Sequence, residues 1–163
     1  MKWQLRIIQA LSVAGIVVAF YLHLFHEGLV FPTCSSTQNW MQTIGIELDC
    51  YNVSGGNAPY SSLSAFAVLR DIPFVNQLSV AQAGLIGYVT IFSTIWLGDL
   101  WKRWAKFGQA STILIVIGAF LFTAWLTWIE ATELGAFCTY CLYSAGIITL
   151  MFLLAVHLLY DSA

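Results

Sequence analysis

Four long apolar stretches without a charged side chain are the feature that most constrains this chain. They cover residues 7–25, 79–98, 109–129 and 137–160. A helix needs about 20 residues, rising 1.5 Å each, to cross a hydrocarbon core of about 30 Å. Only 9% of the 163 residues are charged, against about 25% in soluble domains. The sequence predicts an all-α integral membrane protein, with residues 1–163 forming a single membrane domain built as a four-transmembrane-helix bundle.

The basic residues predict how this bundle is oriented. Five of the six lie before the first stretch or between the second and third: Lys2, Arg6, Lys102, Arg103 and Lys106. The positive-inside rule places these segments in the cytoplasm. We therefore expect a multi-pass protein of the cytoplasmic (inner) membrane, with both termini cytoplasmic and the loop 26–78 on the periplasmic or extracytoplasmic side. The sequence contains no basic patch of the kind that binds nucleic acid, so we expect no nucleic-acid partner.

The loop 26–78 contains two moderately apolar pieces. In "CSSTQNWMQTIGIELDC" and "SSLSAFAVL" the apolar residues recur at roughly helical spacing. Both pieces are too short to span a bilayer and too apolar to be fully solvated. We therefore predict short surface helices in this outer loop, joined by the turn-rich segment "NVSGGNAPYSS".

The four cysteines all fall on the predicted outer side. Cys34 and Cys50 lie in the loop, and Cys138 and Cys141 open the fourth apolar stretch as "CTYC". The C-x-x-C spacing places two sulfurs one helical turn apart. If the preceding "ATELGA" is a loop, the pair lies in the first turn of a helix. Unpaired N–H groups and the helix dipole there stabilise a reactive thiolate.

Three interpretations of these cysteines remain open from the residues alone. The C-x-x-C pair is a redox-cycling dithiol, a static disulfide, or half of a metal site. Four thiolates would suffice for zinc, but such sites are uncommon in an oxidising compartment. The pair Cys34 and Cys50 is either a structural bridge across the loop or the first step of a relay, in which thiol–disulfide exchange passes electrons from one pair to the next.

The order of motifs resembles that of the vitamin K epoxide reductase family in its bacterial form. The loop cysteine pair is followed by "CYNV", "DIP", "GLIGY" in the second apolar stretch and "CTYCLYSA" in the fourth. These segments begin at Cys50, Asp71, Gly84 and Cys138. Each motif is weak alone, but their order covers nearly the whole chain from about residue 23 onward.

The resemblance implies a membrane thiol:quinone oxidoreductase that supports disulfide bond formation. In such a protein a thioredoxin-fold (DsbA-like) partner delivers electrons to the loop pair, with Cys34 meeting the partner and Cys50 attacking Cys138. Cys141 would then reduce a quinone, ubiquinone or menaquinone. An alternative on the same fold is a quinone or vitamin K epoxide reductase. A non-enzymatic alternative is a metal-handling or disulfide-stapled membrane scaffold.

The chain departs from the family pattern at three points. Cys34 and Cys50 are sixteen positions apart, about twice the spacing of many members. Gly56 stands where the family has a loop serine, for which Ser54, Ser61 or Ser62 are candidate replacements. Many bacterial members carry a fused thioredoxin-like domain, whereas this chain ends at residue 163, so we expect a separate partner. As in the redox interpretation of the cysteines, we expect no bound metal.

A quinone site needs apolar walls and one or two hydrogen-bond donors for the quinone carbonyls. Polar side chains in or just before the second stretch are candidates: Tyr88, Gln82 and Asn76. Tyr143, beside the dithiol, is a fourth. Each has a structural alternative, namely packing for Tyr88, a helix-to-helix hydrogen bond for Gln82 and interfacial anchoring for Tyr143.

Two further groups of residues have weaker functional interpretations. His23 and His26, at the outer end of the first stretch, are candidates for proton transfer or simple interfacial residues. His157 is about 24 Å along the fourth helix from the dithiol, too far to take part. Ala83 and Gly87 form a small-xxx-small pair that predicts a close helix contact.

Overall fold

The structure, a computed structural model, describes residues 2–30, 47–48, 79–100, 105–134 and 136–162. Its long helices are α1 (Lys2–His26), α2 (Val80–Leu100), α3 (Ala105–Ile129) and α4 (Thr139–Ser162). Each is long and apolar enough to cross a membrane. The predicted all-α four-helix membrane bundle is confirmed. Most of the loop 26–78 lies outside the described residues, and its predicted surface helices therefore stay a prediction.

The helix boundaries differ from the apolar stretches mainly at the start of α1. This helix begins at Lys2, so Lys2 and Arg6 belong to its first turns rather than preceding it. It also ends at His26, which was predicted to open the loop. A helix continues through the interface because its backbone hydrogen bonds are internal and do not depend on the hydrocarbon.

The helices pack in a ring in which α1 and α3 each contact both α2 and α4. Fully buried side chains fill the centre of this ring: Ile8, Ile91, Val116, Met151 and Leu158. Phe120 of α3 stacks on Phe152 of α4 with 4.2 Å between ring centroids. Large apolar side chains also cover the outward faces, including Val17, Leu114, Leu121 and Leu153. Apolar residues both inside and outside are typical of helices surrounded by lipid.

Gly15 of α1 lies directly against the ring of Tyr88 on α2. A Cβ added to Gly15 would stand 2.2 Å from a ring carbon of Tyr88 on α2, so only glycine leaves room for this ring. At Gly87, in contrast, an added Cβ would meet none of the described atoms within 4 Å. The close contact predicted for Ala83 and Gly87 is therefore not found at Gly87 among the described residues.

Polar side chains tie the helices together at the end of the bundle opposite the C-x-x-C pair. The Gln4 amide nitrogen lies 2.7 Å from Nδ1 of His157 and donates to Asp161 at 2.9 Å. Arg6 forms an ion pair of 3.0 Å with Asp99 at the end of α2. These contacts join the start of α1 to the ends of α2 and α4.

The segment "ATELGA" is not the simple loop predicted from the sequence. Glu130–Leu134 continues α3 as a π-helix, and Ala136–Phe137 then forms a short strand, β2. This strand pairs in parallel with β1, which is Glu47–Leu48 of the loop. The structure thus brings a piece of the long loop directly to the residues that precede Cys138.

Candidate active site at the start of the fourth helix

Cys138 and Cys141 occupy the first turn of α4, as the sequence predicts. The helix begins at Thr139, and the carbonyl of Cys138 accepts a hydrogen bond from the N–H of Leu142 at 3.0 Å. Cys138 is therefore the N-cap residue, and Cys141 lies three positions into the helix. Backbone N–H groups without intrahelical partners surround this turn, and they favour negative charge on a sulfur.

The two cysteines differ in burial. Cys138 is fully buried and packs with Leu22 and Phe25 of α1 and Ala81 of α2. Cys141 is half-buried at the margin of the same apolar cluster. Cys138 therefore lies between three helices, whereas Cys141 lies closer to the surface of the bundle. The separate roles that the resemblance implies for these two sulfurs stay a prediction.

The short strand pair connects the loop to the dithiol. Glu47 pairs with Ala136 and Leu48 pairs with Phe137, and Phe137 directly precedes Cys138. Cys34 and Cys50 lie outside the described residues. Their roles in the relay stay a prediction.

Glu130, the first residue of the π-helix, contacts both cysteines of the pair. Its side chain is 8% exposed, and its carboxylate is hydrogen bonded to the Cys141 thiol and to the backbone of Cys138. Glu133, in the same segment, is exposed. The helical widening at residues 130–134 thus places one carboxylate inside the protein, against the dithiol, and leaves the other outside.

Three tyrosines line up beside the dithiol. The rings of Tyr21 and Tyr140 are 4.8 Å apart between centroids, and those of Tyr140 and Tyr143 are 6.4 Å apart in an edge-on arrangement. Tyr143 is 55% exposed. It therefore stands at the outer edge of this row, where an aromatic side chain reaches lipid or a lipid-soluble molecule.

The predicted quinone contacts on α2 have local partners. Tyr88 is 3% exposed, and its hydroxyl donates to the carbonyl of Ser144 at 3.1 Å. Gln82 accepts a hydrogen bond from the N–H of Ser79, whose hydroxyl accepts one from the N–H of Gln82. This reciprocal pair is a capping box that begins α2. Asn76 lies outside the described residues. A direct role of these side chains in quinone binding stays a prediction.

Several buried polar atoms at this end of the bundle have no hydrogen-bond partner among the described residues. They are Nδ1 of His23, Oε2 of Glu130 and Oγ1 of Thr139. A buried polar atom is normally paired. Of these atoms, Nδ1 of His23 and Oγ1 of Thr139 can donate a hydrogen bond to a carbonyl oxygen of a ligand, whereas Oε2 of Glu130 accepts when the carboxylate is ionised.

The motif order seen in the sequence is matched by a family comparison. The model of the vitamin K epoxide reductase family matches residues 6–156. The chain belongs to the vitamin K epoxide reductase family. A comparison with curated proteins finds no matching relative. Members of the vitamin K epoxide reductase family are membrane oxidoreductases that use quinone-type substrates.

The region matched to the vitamin K epoxide reductase family includes both cysteine pairs and Glu130. No group of three or more His, Cys, Asp or Glu side chains is placed to hold a metal ion within the described residues. The thiolate-metal alternative requires Cys34 and Cys50, so it awaits direct metal analysis.

Sequence reasoning missed three residues around the site: Glu130, Ser144 and Gly15. A signal was present for Glu130, since an acidic residue that directly follows a long apolar stretch is expensive near lipid and therefore suggests a function. Ser144 lies within the quoted motif "CTYCLYSA", but nothing in the motif singles out its contact with Tyr88, and Gly15 gave no signal. Their importance depends on which face of each helix meets Tyr88, and that is a property of the packed bundle.

Proposed function

We propose that this chain is a membrane thiol:quinone oxidoreductase that reoxidises a separate thioredoxin-fold protein and thereby supports disulfide bond formation. Electrons pass from the partner to Cys34 and Cys50, then to Cys138 and Cys141, and finally to ubiquinone or menaquinone. The observation that carries the proposal is the position of the C-x-x-C pair. It opens a membrane-spanning helix, with one sulfur buried among three helices and the other near the bundle surface.

The strand pair supports Cys50 as the loop cysteine that attacks Cys138. Leu48 pairs with Phe137, which directly precedes Cys138 in the chain. Cys50 follows Leu48 by two positions, so the chain limits its Cα to about 7 Å from that of Leu48. This tether makes exchange between Cys50 and Cys138 geometrically accessible, and it leaves Cys34 to meet the partner.

The proposed reaction balances without a further cofactor. The partner dithiol loses two electrons and two protons as it becomes a disulfide, and the quinone gains both and becomes a quinol. A strongly oxidising thioredoxin-fold disulfide near −120 mV needs a stronger electron acceptor for its regeneration, and a respiratory quinone is such an acceptor. The family assignment supports the quinone as substrate.

The proposal also includes an orientation. We place the protein in the cytoplasmic membrane, with both termini in the cytoplasm and the dithiol on the periplasmic side. The concentration of basic residues before α1 and between α2 and α3 supports this orientation. After reduction of intact cells with a phosphine, labelling with a membrane-impermeant maleimide tests it, because under this orientation the loop cysteines, Cys34 and Cys50, react without permeabilisation.

Quinone reduction by purified protein tests the proposed activity. The protein in detergent receives a reduced thioredoxin-fold dithiol and a quinone, and quinone absorbance is followed for the wild type, Cys138→Ser and Cys141→Ser. We expect both substitutions to abolish the reaction. An undiminished rate in both variants would exclude the relay.

The same preparation separates the other candidate functions. The family assignment favours epoxide reduction as a second candidate, in which the same dithiol converts vitamin K epoxide to the quinone and water. Turnover of the epoxide but not the quinone would favour it. One tightly bound zinc per chain, together with an inactive wild type, would favour the metal-handling alternative.

A further inference from the structure

Glu130 is a buried ionisable group that the proposed relay does not yet use. Its side chain is 8% exposed, although glutamate is almost never buried unless it is paired. Among residues 130–133, whose side chains the structure describes, the other three are exposed. The π-helix, a feature often found at functional sites, therefore turns this one carboxylate inward.

The partners of Glu130 are the groups that react. Its carboxylate is hydrogen bonded to the thiol of Cys141 and to the backbone of Cys138. Its second oxygen, Oε2, is buried and has no partner among the described residues. No described basic side chain forms an ion pair with it. The carboxylate thus lies against the cysteine pair, with no described cation paired to it.

We propose that Glu130 is a catalytic residue that accepts the proton of the Cys141 thiol when the dithiol is oxidised. This inference rests on the proposed thiol:quinone function. As the Cys138–Cys141 bond forms, the two thiols release two electrons and two protons. The quinone receives all of them and becomes a quinol. Glu130 holds the proton from Cys141 during the transfer of its electrons and then releases it to the quinol anion, which becomes the neutral quinol.

The transfer suits a site with little water. Carboxylate with thiol, and carboxylic acid with thiolate, both carry one negative charge. The proton therefore moves without changing the net charge of the buried site, and no charge must be newly desolvated. A neighbouring base that activates a nucleophile in this way must lie within hydrogen-bond reach, as Glu130 does for Cys141.

Glu130→Gln separates this role from a purely structural one. The amide oxygen of glutamine still accepts hydrogen bonds from Cys138 and Cys141, but it does not take up a proton. Glu133→Gln is the matched control, because Glu133 belongs to the same π-helix and is exposed. The protein is reduced with a phosphine, freed of reductant and mixed with a quinone in a single-turnover experiment.

We expect Glu130→Gln to slow quinone reduction by about 10²-fold, the lower end for general base catalysis, and Glu133→Gln to keep the wild-type rate. A wild-type rate in Glu130→Gln overturns the proposal. If Glu130→Gln does not fold, as judged by its titre of reactive thiols, Glu130→Asp replaces it. Withdrawing the carboxylate by one methylene is expected to cost about 10-fold to 10²-fold in rate, and an unchanged rate again overturns the proposal.

A second measurement keeps the inference distinguishable from the proposed function. If the wild type does not reduce quinone, the thiol:quinone function fails, and the reduced protein is instead mixed with a small aromatic disulfide. Slower thiol–disulfide exchange in Glu130→Gln than in Glu133→Gln supports proton acceptance by Glu130. An equal exchange rate in the two variants overturns it. A faster rate in Glu130→Gln also overturns it, because a gain on removing the charge means that the carboxylate only repels the thiolate.

Discussion

The hydroxyl of Tyr88 donates a hydrogen bond to the backbone carbonyl of Ser144 and lies 2.8 Å from the Ser144 hydroxyl. Ser144 follows Cys141 by one helical turn, about 4.5 Å along the axis of α4. The contact therefore fixes the dithiol-bearing turn of α4 against α2. Since Gly15 of α1 makes room for the Tyr88 ring, three helices meet at this point.

Removal of the Tyr88 hydroxyl is expected to weaken the bundle. Tyr88→Phe loses a buried hydrogen bond and should lower the free energy of unfolding by about 0.5–1.5 kcal/mol. We expect the KM for quinone to stay unchanged, because the hydroxyl is already used by Ser144. Unfolding in mixed detergent micelles and steady-state kinetics measure the two effects. Tyr160→Phe, at an exposed position far from the dithiol, is the control. A raised KM with unchanged stability in Tyr88→Phe would instead indicate a quinone contact.

A methyl group at position 15 is expected to disturb the same junction. Gly15→Ala places a Cβ 2.2 Å from a Tyr88 ring carbon, so the ring or a helix must shift. Overpacking of this kind typically destabilises by about 1–3 kcal/mol. Gly118→Ala on α3 is the matched control, since an added Cβ there meets nothing described within 4 Å. Equal unfolding midpoints for the two variants would contradict the close contact.

The proposed exchange step predicts a specific trapped disulfide. With Cys141→Ser the Cys138–Cys141 bond cannot form, and we expect the Cys138 thiolate to attack Cys50 in an oxidised Cys34–Cys50 pair, which forms a Cys50–Cys138 bond and releases Cys34 as a thiol. Peptide mass spectrometry without reduction identifies it. Adding Cys50→Ser should abolish this bond, and so should adding Cys34→Ser, because neither double variant can form the Cys34–Cys50 disulfide that Cys138 attacks. A bond from Cys34 to Cys138 instead would reverse the proposed order of the loop cysteines.

The polar cluster at the opposite end should affect stability without affecting catalysis. Gln4→Ala removes the amide that contacts His157 and Asp161, and we expect a loss of about 1–3 kcal/mol because Gln4 is fully buried. The quinone-reduction rate of the folded fraction should not change, since His157 is about 24 Å from Cys141 along α4. Gln9→Ala, which loses only an exposed contact to Arg6, should cost less than Gln4→Ala. A slower rate in Gln4→Ala would reveal coupling between the two ends.

Local sequence pattern was sufficient for the helices and for the position of the dithiol. The apolar stretches predicted all four spanning helices, and the C-x-x-C spacing predicted a pair in the first turn of the last one. The segment "ATELGA" was wrongly predicted as a loop, because an extra residue per turn in a π-helix leaves no simple mark in the sequence.

The sequence by itself thus determined the membrane class, the four spanning helices and the position of the C-x-x-C pair at the start of the last one. It could do so because lipid requires each spanning segment to satisfy its own backbone hydrogen bonds, which makes length and hydrophobicity decisive. Only the tertiary structure decided which groups surround the pair. Glu130 meets Cys141, Leu48 pairs with Phe137 and Gly15 admits the Tyr88 ring. These contacts depend on how each helix is rotated against its neighbours and on where the loop returns, and both are set by packing among segments distant in the chain.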